Sequence, residues 1–191
     1  MKTEKDYRLS FAEKLSYSAG DCGGQIYVTL CTYFLTGFYT DTVGIAAAAV
    51  GTMMLVARLF DGTSDLIMGA ILDKTNSKYG NARPWMLWTA PFMGIALAAM
   101  FIVPPSLGEN GKLVYAYFTY ILLNCIIYTA NGIAYNSLLS RMTLNVQDRV
   151  SCTSMRFVLG NIMVLIINAI TANLVTTLGW SKLVIIYAIV E

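Results

Sequence analysis

Asp61 and Asp65 lie four residues apart inside an apolar stretch running from Ile45 to Leu72. A helix would put both carboxylates on one face, with Arg58 one turn before them. Each such charge at mid-membrane costs about 2.5 to 3.5 kcal/mol on insertion scales. Three in two turns would need roughly 8 to 10 kcal/mol of compensation if they faced lipid, so they must face protein, water or an ion. Two ionised carboxylates one turn apart repel, and a bound monovalent cation or a shared proton removes that repulsion. The chemistry on offer is therefore cation binding, with Na+ as the metal at Asp61 and Asp65 if sodium is the ion. The alternative is an internal salt-bridge network in which Arg58 neutralises one carboxylate and serves packing alone.

Hard cations take several oxygens, and Ser64 adds a neutral one beside Asp61. Thr129, deep in the fourth apolar stretch, would add another if the two helices touch; its alternative is a bond to its own helix backbone. Arg156, near the start of the fifth stretch, could grip a polar ligand with its planar fork or extend to the headgroups. Gln25, Asn124, Asn131 and Asn136 could meet hydroxyls inside a cavity or tie helices together. Tyr27, Tyr128 and Tyr135 would suit stacking on a sugar ring, or packing. Gly20, Gly23, Gly24 and Gly132 allow close helix approach.

The elements that must position these residues follow from hydropathy. The chain has 191 residues, 57% of them hydrophobic and 13% charged, and its mean hydropathy is +0.60. A bilayer core needs about 20 apolar residues per helix. Five stretches meet that length: Ser16 to Thr40, Ile45 to Leu72, Pro84 to Val103, Leu113 to Leu139 and Met155 to Leu178. A sixth begins at Leu183 and runs to Glu191, under half a span, so a truncated product is expected. Turn residues mark the breaks: Thr40-Asp41-Thr42 before Gly44, the run from Asp73 to Arg83, Pro104-Pro105-Ser106 through Gly111, and Gly179 through Lys182.

Placing the amino terminus inside puts Lys2, Lys5, Arg8, Lys14, Lys74, Lys78, Arg83, Arg141 and Arg149 in the cytoplasm and leaves only Lys112 and Lys182 outside. Nine basic residues against two set that orientation. No cleavable signal is expected, because a full-length apolar span without a small-residue cleavage site follows the polar start. A net charge of +2 implies no nucleic-acid surface. Cys22, Cys31, Cys125 and Cys152 show no CxxC spacing and the chain has no histidine, which leaves a zinc or haem site almost no ligands. With no nucleophile elbow or metal-ligand cluster, a membrane enzyme is disfavoured, and no cofactor is expected.

The run Ala57-Arg58-Leu59-Phe60-Asp61-Gly62-Thr63-Ser64-Asp65, with Ile67-Met68-Gly69, resembles the second helix of the glycoside-pentoside-hexuronide:cation symporters, the melibiose permease-like branch of the major facilitator superfamily. Asp73-Lys74-Thr75 to Lys78-Tyr79-Gly80-Asn81-Ala82-Arg83-Pro84-Trp85 resembles that family's loop between helices two and three. Leu15 to Asp21, Phe38 to Asp41 and Met142 through Asp148-Arg149 to Arg156-Phe157 extend the resemblance over nearly the whole chain.

The resemblance implies an all-α polytopic fold of two six-helix bundles with a cavity between them. Residues 1–191 would supply the amino-terminal bundle, five full membrane helices and the start of a sixth, with the carboxyl-terminal bundle absent. By position it implies cation binding at Asp61, Asp65, Ser64 (asparagine in the family pattern) and Thr129, with Arg58 in support. It implies sugar binding at Arg156, Gln25, Gly132 and Asn136. Gln25 and Gly132 stand where the pattern has carboxylates and Asn136 where it has tryptophan, which implies a different sugar specificity or weaker sugar binding.

The expected function is Na+- or H+-coupled symport of a sugar or glycoside across the bacterial cytoplasmic membrane, with sugar, monovalent cation and membrane lipid as partners. A missing carboxyl-terminal half or a second copy would complete the cavity. The alternative is a truncated, non-transporting fragment or half-bundle that only associates with other membrane helices.

Overall fold

The computed structural model describes residues 8–78 and 80–190. Lys2 and Lys5 of the basic amino-terminal cluster, Tyr79 of the loop motif and the final Glu191 lie outside the described residues.

The first apolar stretch is a chain of helical pieces. Helix α1 (Phe11–Ala19) starts at Ser10, whose hydroxyl accepts from the Glu13 backbone N–H while the Glu13 carboxylate accepts from the Ser10 N–H. This reciprocal cap holds the Glu13 carboxyl below its usual range. α2 (Cys22–Thr29), a wide five-residue-spaced turn over Leu30–Phe34, α3 (Leu35–Gly37) and a second wide turn over Phe38–Val43 complete the stretch. Gly44 ends it at φ +83°, a left-handed conformation that only glycine adopts without strain.

Helix α4 (Ala47–Lys74) is the second span and α5 (Arg83–Phe101), with Pro84 in its first turn, the third. The fourth comprises α6 (Glu109–Ile121), a wide turn over Leu122–Tyr128 and α7 (Thr129–Met142). α8 (Val146–Leu178) is the fifth, and α9 (Trp180–Val190) follows a turn at Gly179. No strand occurs among the described residues.

Three helical spans, Arg83–Phe101, Glu109–Met142 and Val146–Leu178, are individually long and apolar enough to cross a membrane. The 28 residues of α4 reach about 42 Å, ample length, but Arg58, Asp61 and Asp65 dilute its hydropathy. The first stretch reaches membrane length only through its joined pieces. α8 begins at Val146, well before the apolar run that starts at Met155, because the Asn145 side chain caps it by accepting from the Gln147 and Asp148 N–H groups. Hydropathy alone gives no signal for that polar first turn.

α1 and α2 pack on α8, α5 lies between α7 and α9, and α4 packs on α7 and on the wide turn before it. The second and fourth spans therefore touch. Phe38, Phe101 and Trp180 form an aromatic cluster, Phe101 stacked on Trp180 at 5.5 Å between centroids. Gly94 of α5 lies against the backbone of α9: a Cβ there would come within 2.4 Å of the Ala188 carbonyl oxygen. Large apolar side chains also cover the outside, Leu66 and Ile189 each about four-fifths exposed (79% and 81%). An outer surface of that kind is matched to hydrocarbon.

Candidate functional site

Two polar clusters are built into this apolar frame. The first surrounds Asp61, which is half-buried on α4. Its Oδ1 accepts from Asn124 Nδ2 at 2.8 Å, and the Cys125 thiol lies 3.5 Å from the same oxygen and 3.6 Å from the Ala57 carbonyl, able to donate to one of them at a time. Asn124 in turn accepts at its Oδ1 from the Tyr27 hydroxyl of α2. Three spans thus meet through Tyr27, Asn124 and Asp61.

Asp65 lies exposed on the face of α4, without a hydrogen bond or ion pair among the described residues. Arg58 is likewise exposed and forms no ion pair with either carboxylate among the described residues, so the internal salt-bridge alternative does not form. The Ser64 hydroxyl donates to the Asp61 backbone carbonyl at 2.9 Å. The Thr129 hydroxyl donates to the Asn124 carbonyl at 3.2 Å, five residues back across the wide turn. Both neutral oxygens are thus engaged with helix backbone in this structure, while keeping lone pairs that a cation could use.

The second cluster lies between α2, α7 and α8. The Arg156 Nε pairs with Asp21 at 2.9 Å, its Nη1 donates to Asn136 Oδ1 at 2.8 Å, and its guanidinium sits 4.8 Å above the Tyr135 ring centre. Gln25 Nε2 donates to the same Asp21 oxygen at 2.9 Å. Asp21, Gln25, Asn136 and Arg156 line a cavity of about 500 Å³, together with Thr153, Phe157 and Asn161. Gln25 lies against α8 at Gly160, where an added Cβ would be in ordinary van der Waals contact with its amide at 3.4 Å.

The structure brings Gln25, Asn136 and Arg156 together in this cavity. Gly132, half-buried one helix turn away from Asn136, does not line it. Asp21 was missed as a site residue although its signal is the one that exposed Asp61, an acid inside an apolar stretch. Cys125 carried no signal, because only the fold sets it beside Asp61.

Such a bundle, with carboxylates and amides gathered inside and a hydrocarbon-matched exterior, defines a multi-pass membrane protein. Residues 16–190 match the family described as MFS/sugar transport protein, and the chain belongs to that family. It is 42% identical over 163 residues to the uncharacterized symporter YnaJ of Bacillus subtilis (strain 168), covering 85% of this chain and 35% of that protein. It is 39% identical over 171 residues to the inner membrane symporter YicJ of Escherichia coli (strain K12), covering 90% and 37%. The isoprimeverose transporter of Lactiplantibacillus pentosus is 35% identical over 171 residues, covering 90% and 35%. The chain therefore spans 35% to 37% of the length of these relatives.

Proposed function

We propose that the full-length protein couples Na+ or H+ movement to transport of a sugar or glycoside across a bacterial cytoplasmic membrane. Residues 1–191 are its amino-terminal bundle, with the amino terminus in the cytoplasm. The observation that carries this reading is the pairing of two distinct polar sites in one bundle. One holds the carboxylates Asp61 and Asp65, with Asp65 open on its helix face. The other is the cavity of Asp21, Gln25, Asn136 and Arg156, whose donors and acceptors suit hydroxyls. The names of the relatives support symport in general.

In this reading Asp61 and Asp65 hold the cation, with Ser64 and Thr129 as neutral oxygens and Arg58 tuning the local charge. Arg156, Gln25 and Asn136 hold the sugar, with Asp21 beside them, and Gly132 stands outside that cavity. Binding at one site stabilises the conformation that binds at the other, a shared free energy that must be reciprocal. The test is uptake of a radiolabelled panel of glycosides and pentosides, isoprimeverose included, into cells expressing the full-length gene, with Na+ and pH varied. Stimulation by one cation is expected, and it should vanish in Asp61→Cys and Asp65→Cys. Unchanged stimulation in both variants would overturn the cation assignment.

A further inference from the structure

The fourth span presents Asn124 from a wide turn, Leu122–Tyr128, whose geometry the Thr129 residue holds. The Asn124 carbonyl accepts from both the Thr129 backbone N–H and the Thr129 hydroxyl. Wide turns inside α-helices concentrate at functional positions, because the extra residue rotates the faces before and after it by about 100°. Here the turn aims one side chain at two neighbours. The Asn124 amide gives its N–H to Asp61 Oδ1 and takes the Tyr27 hydroxyl on its oxygen. Neither end can be exchanged, since an ionised carboxylate accepts only.

Tyr27 is held tightly. It is 2% exposed, and its ring lies 4.7 Å from that of Tyr128, one turn after Asn124. Two residues before it on α2 is Gln25, and one turn further back is Asp21, both lining the cavity. The chain Asp61–Asn124–Tyr27 therefore ends on the helix that carries part of the second polar site.

We infer that Asn124 is a positioning residue that transmits cation occupancy at Asp61 to the first span, and through it to Asp21 and Gln25. The inference rests on the cation reading of Asp61. A cation on Asp61 competes with the Asn124 N–H for the carboxylate, and the charge-assisted hydrogen bond falls to the strength of a neutral one. Asn124 then holds Tyr27 less firmly, and α2 gains freedom to move its cavity residues. Tyr120 and Cys125 on the fourth span also face this carboxylate, but neither reaches Tyr27 and Asp61 at once by a hydrogen bond shown among the described residues.

The test needs neither sugar nor cation. Cys22, half-buried on α2 and outside the chain of three, reports the first span through its alkylation rate with N-ethylmaleimide. In the full-length protein carrying Cys31→Ala, Cys125→Ala and Cys152→Ala, Asp61→Asn removes the charge without changing shape. It should speed Cys22 alkylation by about fivefold. The same substitution should have no effect on Cys22 when Asn124→Leu or Tyr27→Phe is already present, a non-additivity that a purely structural role would not produce. Tyr27→Phe keeps the ring and guards against a misfolded Asn124→Leu. If Asp61→Asn changes Cys22 equally in all three backgrounds, or in none, the relay is wrong. The cation assignment has its own readout in uptake stimulation, so the two ideas can fail separately.

Discussion

Arg156 on the fifth span and Asp21 on the first form an ion pair 2.9 Å apart through Nε, and the Nη1 arm of the guanidinium reaches Asn136 on the fourth. One side chain therefore fixes the spacing of three helices around the cavity. Its planar fork does this where a lysine ammonium, a single point charge, would not.

Arg156→Ala leaves the half-buried Asp21 carboxylate with Gln25 as its hydrogen-bond partner, and about 1 to 2 kcal/mol of stability should be lost. Thermal unfolding in detergent measures it. Adding Asp21→Asn should recover part of the loss, whereas Arg156→Lys should keep stability near that of the parent yet fail in sugar uptake.

At the amino-terminal end Lys14 pairs with the buried Asp148 at 2.7 Å, and Asp148 also accepts from the Leu9 N–H at 2.9 Å. Asp148→Ala removes the acceptor of both donors and should loosen the amino-terminal segment from α8. Faster protease cleavage before Phe11 would report it, and cleavage at the parental rate would contradict it.

Gly94 admits no larger residue while α9 keeps its place, because a Cβ would lie 2.4 Å from the Ala188 carbonyl oxygen. Gly94→Ala should push α9 away at about 1 to 3 kcal/mol. A disulfide engineered between α5 and α9 should then form more slowly than in the parent. Gly132→Ala, inside α7 with nothing within 4 Å of the added atom, should raise stability by about 0.5 to 1 kcal/mol.

Thr129→Val keeps the shape but drops the hydroxyl from the Asn124 carbonyl, at about 1 kcal/mol. Thr129→Ser should restore the loss. If the hydroxyl also ligates the cation, Val should weaken Na+ stimulation of uptake by far more than this, and Ser should rescue it.

Much of this architecture is legible in the chain as written. Apolar length gives the spans, because a bilayer demands it, and an acid at mid-span gives Asp61, because hydrocarbon penalises it. The ends of α8 and α9 are less legible: Asn145 and Gly179 set them through local hydrogen bonding and a positive φ, neither of which hydropathy measures. The wide turns carry no composition signal at all. Hence Asn124 reads as one of several polar residues until Tyr27 and Asp61 are seen on either side of it. Arg58 shows the converse. Sequence places it on the carboxylate face, and the fold leaves it unpaired with either acid among the described residues.

The two wide turns of the first span, Leu30–Phe34 and Phe38–Val43, give that helix torsional slack. Tightening either to ordinary spacing would screw the remainder of the helix by about 100° without breaking it. The Lys14–Asp148 clasp anchors the opposite end to the fifth span. In the packed bundle that slack is locked, because Leu30, Leu35 and Tyr39 are fully buried and the Tyr39 hydroxyl donates to the Met100 carbonyl, so rewinding the first helix would have to move its neighbours with it.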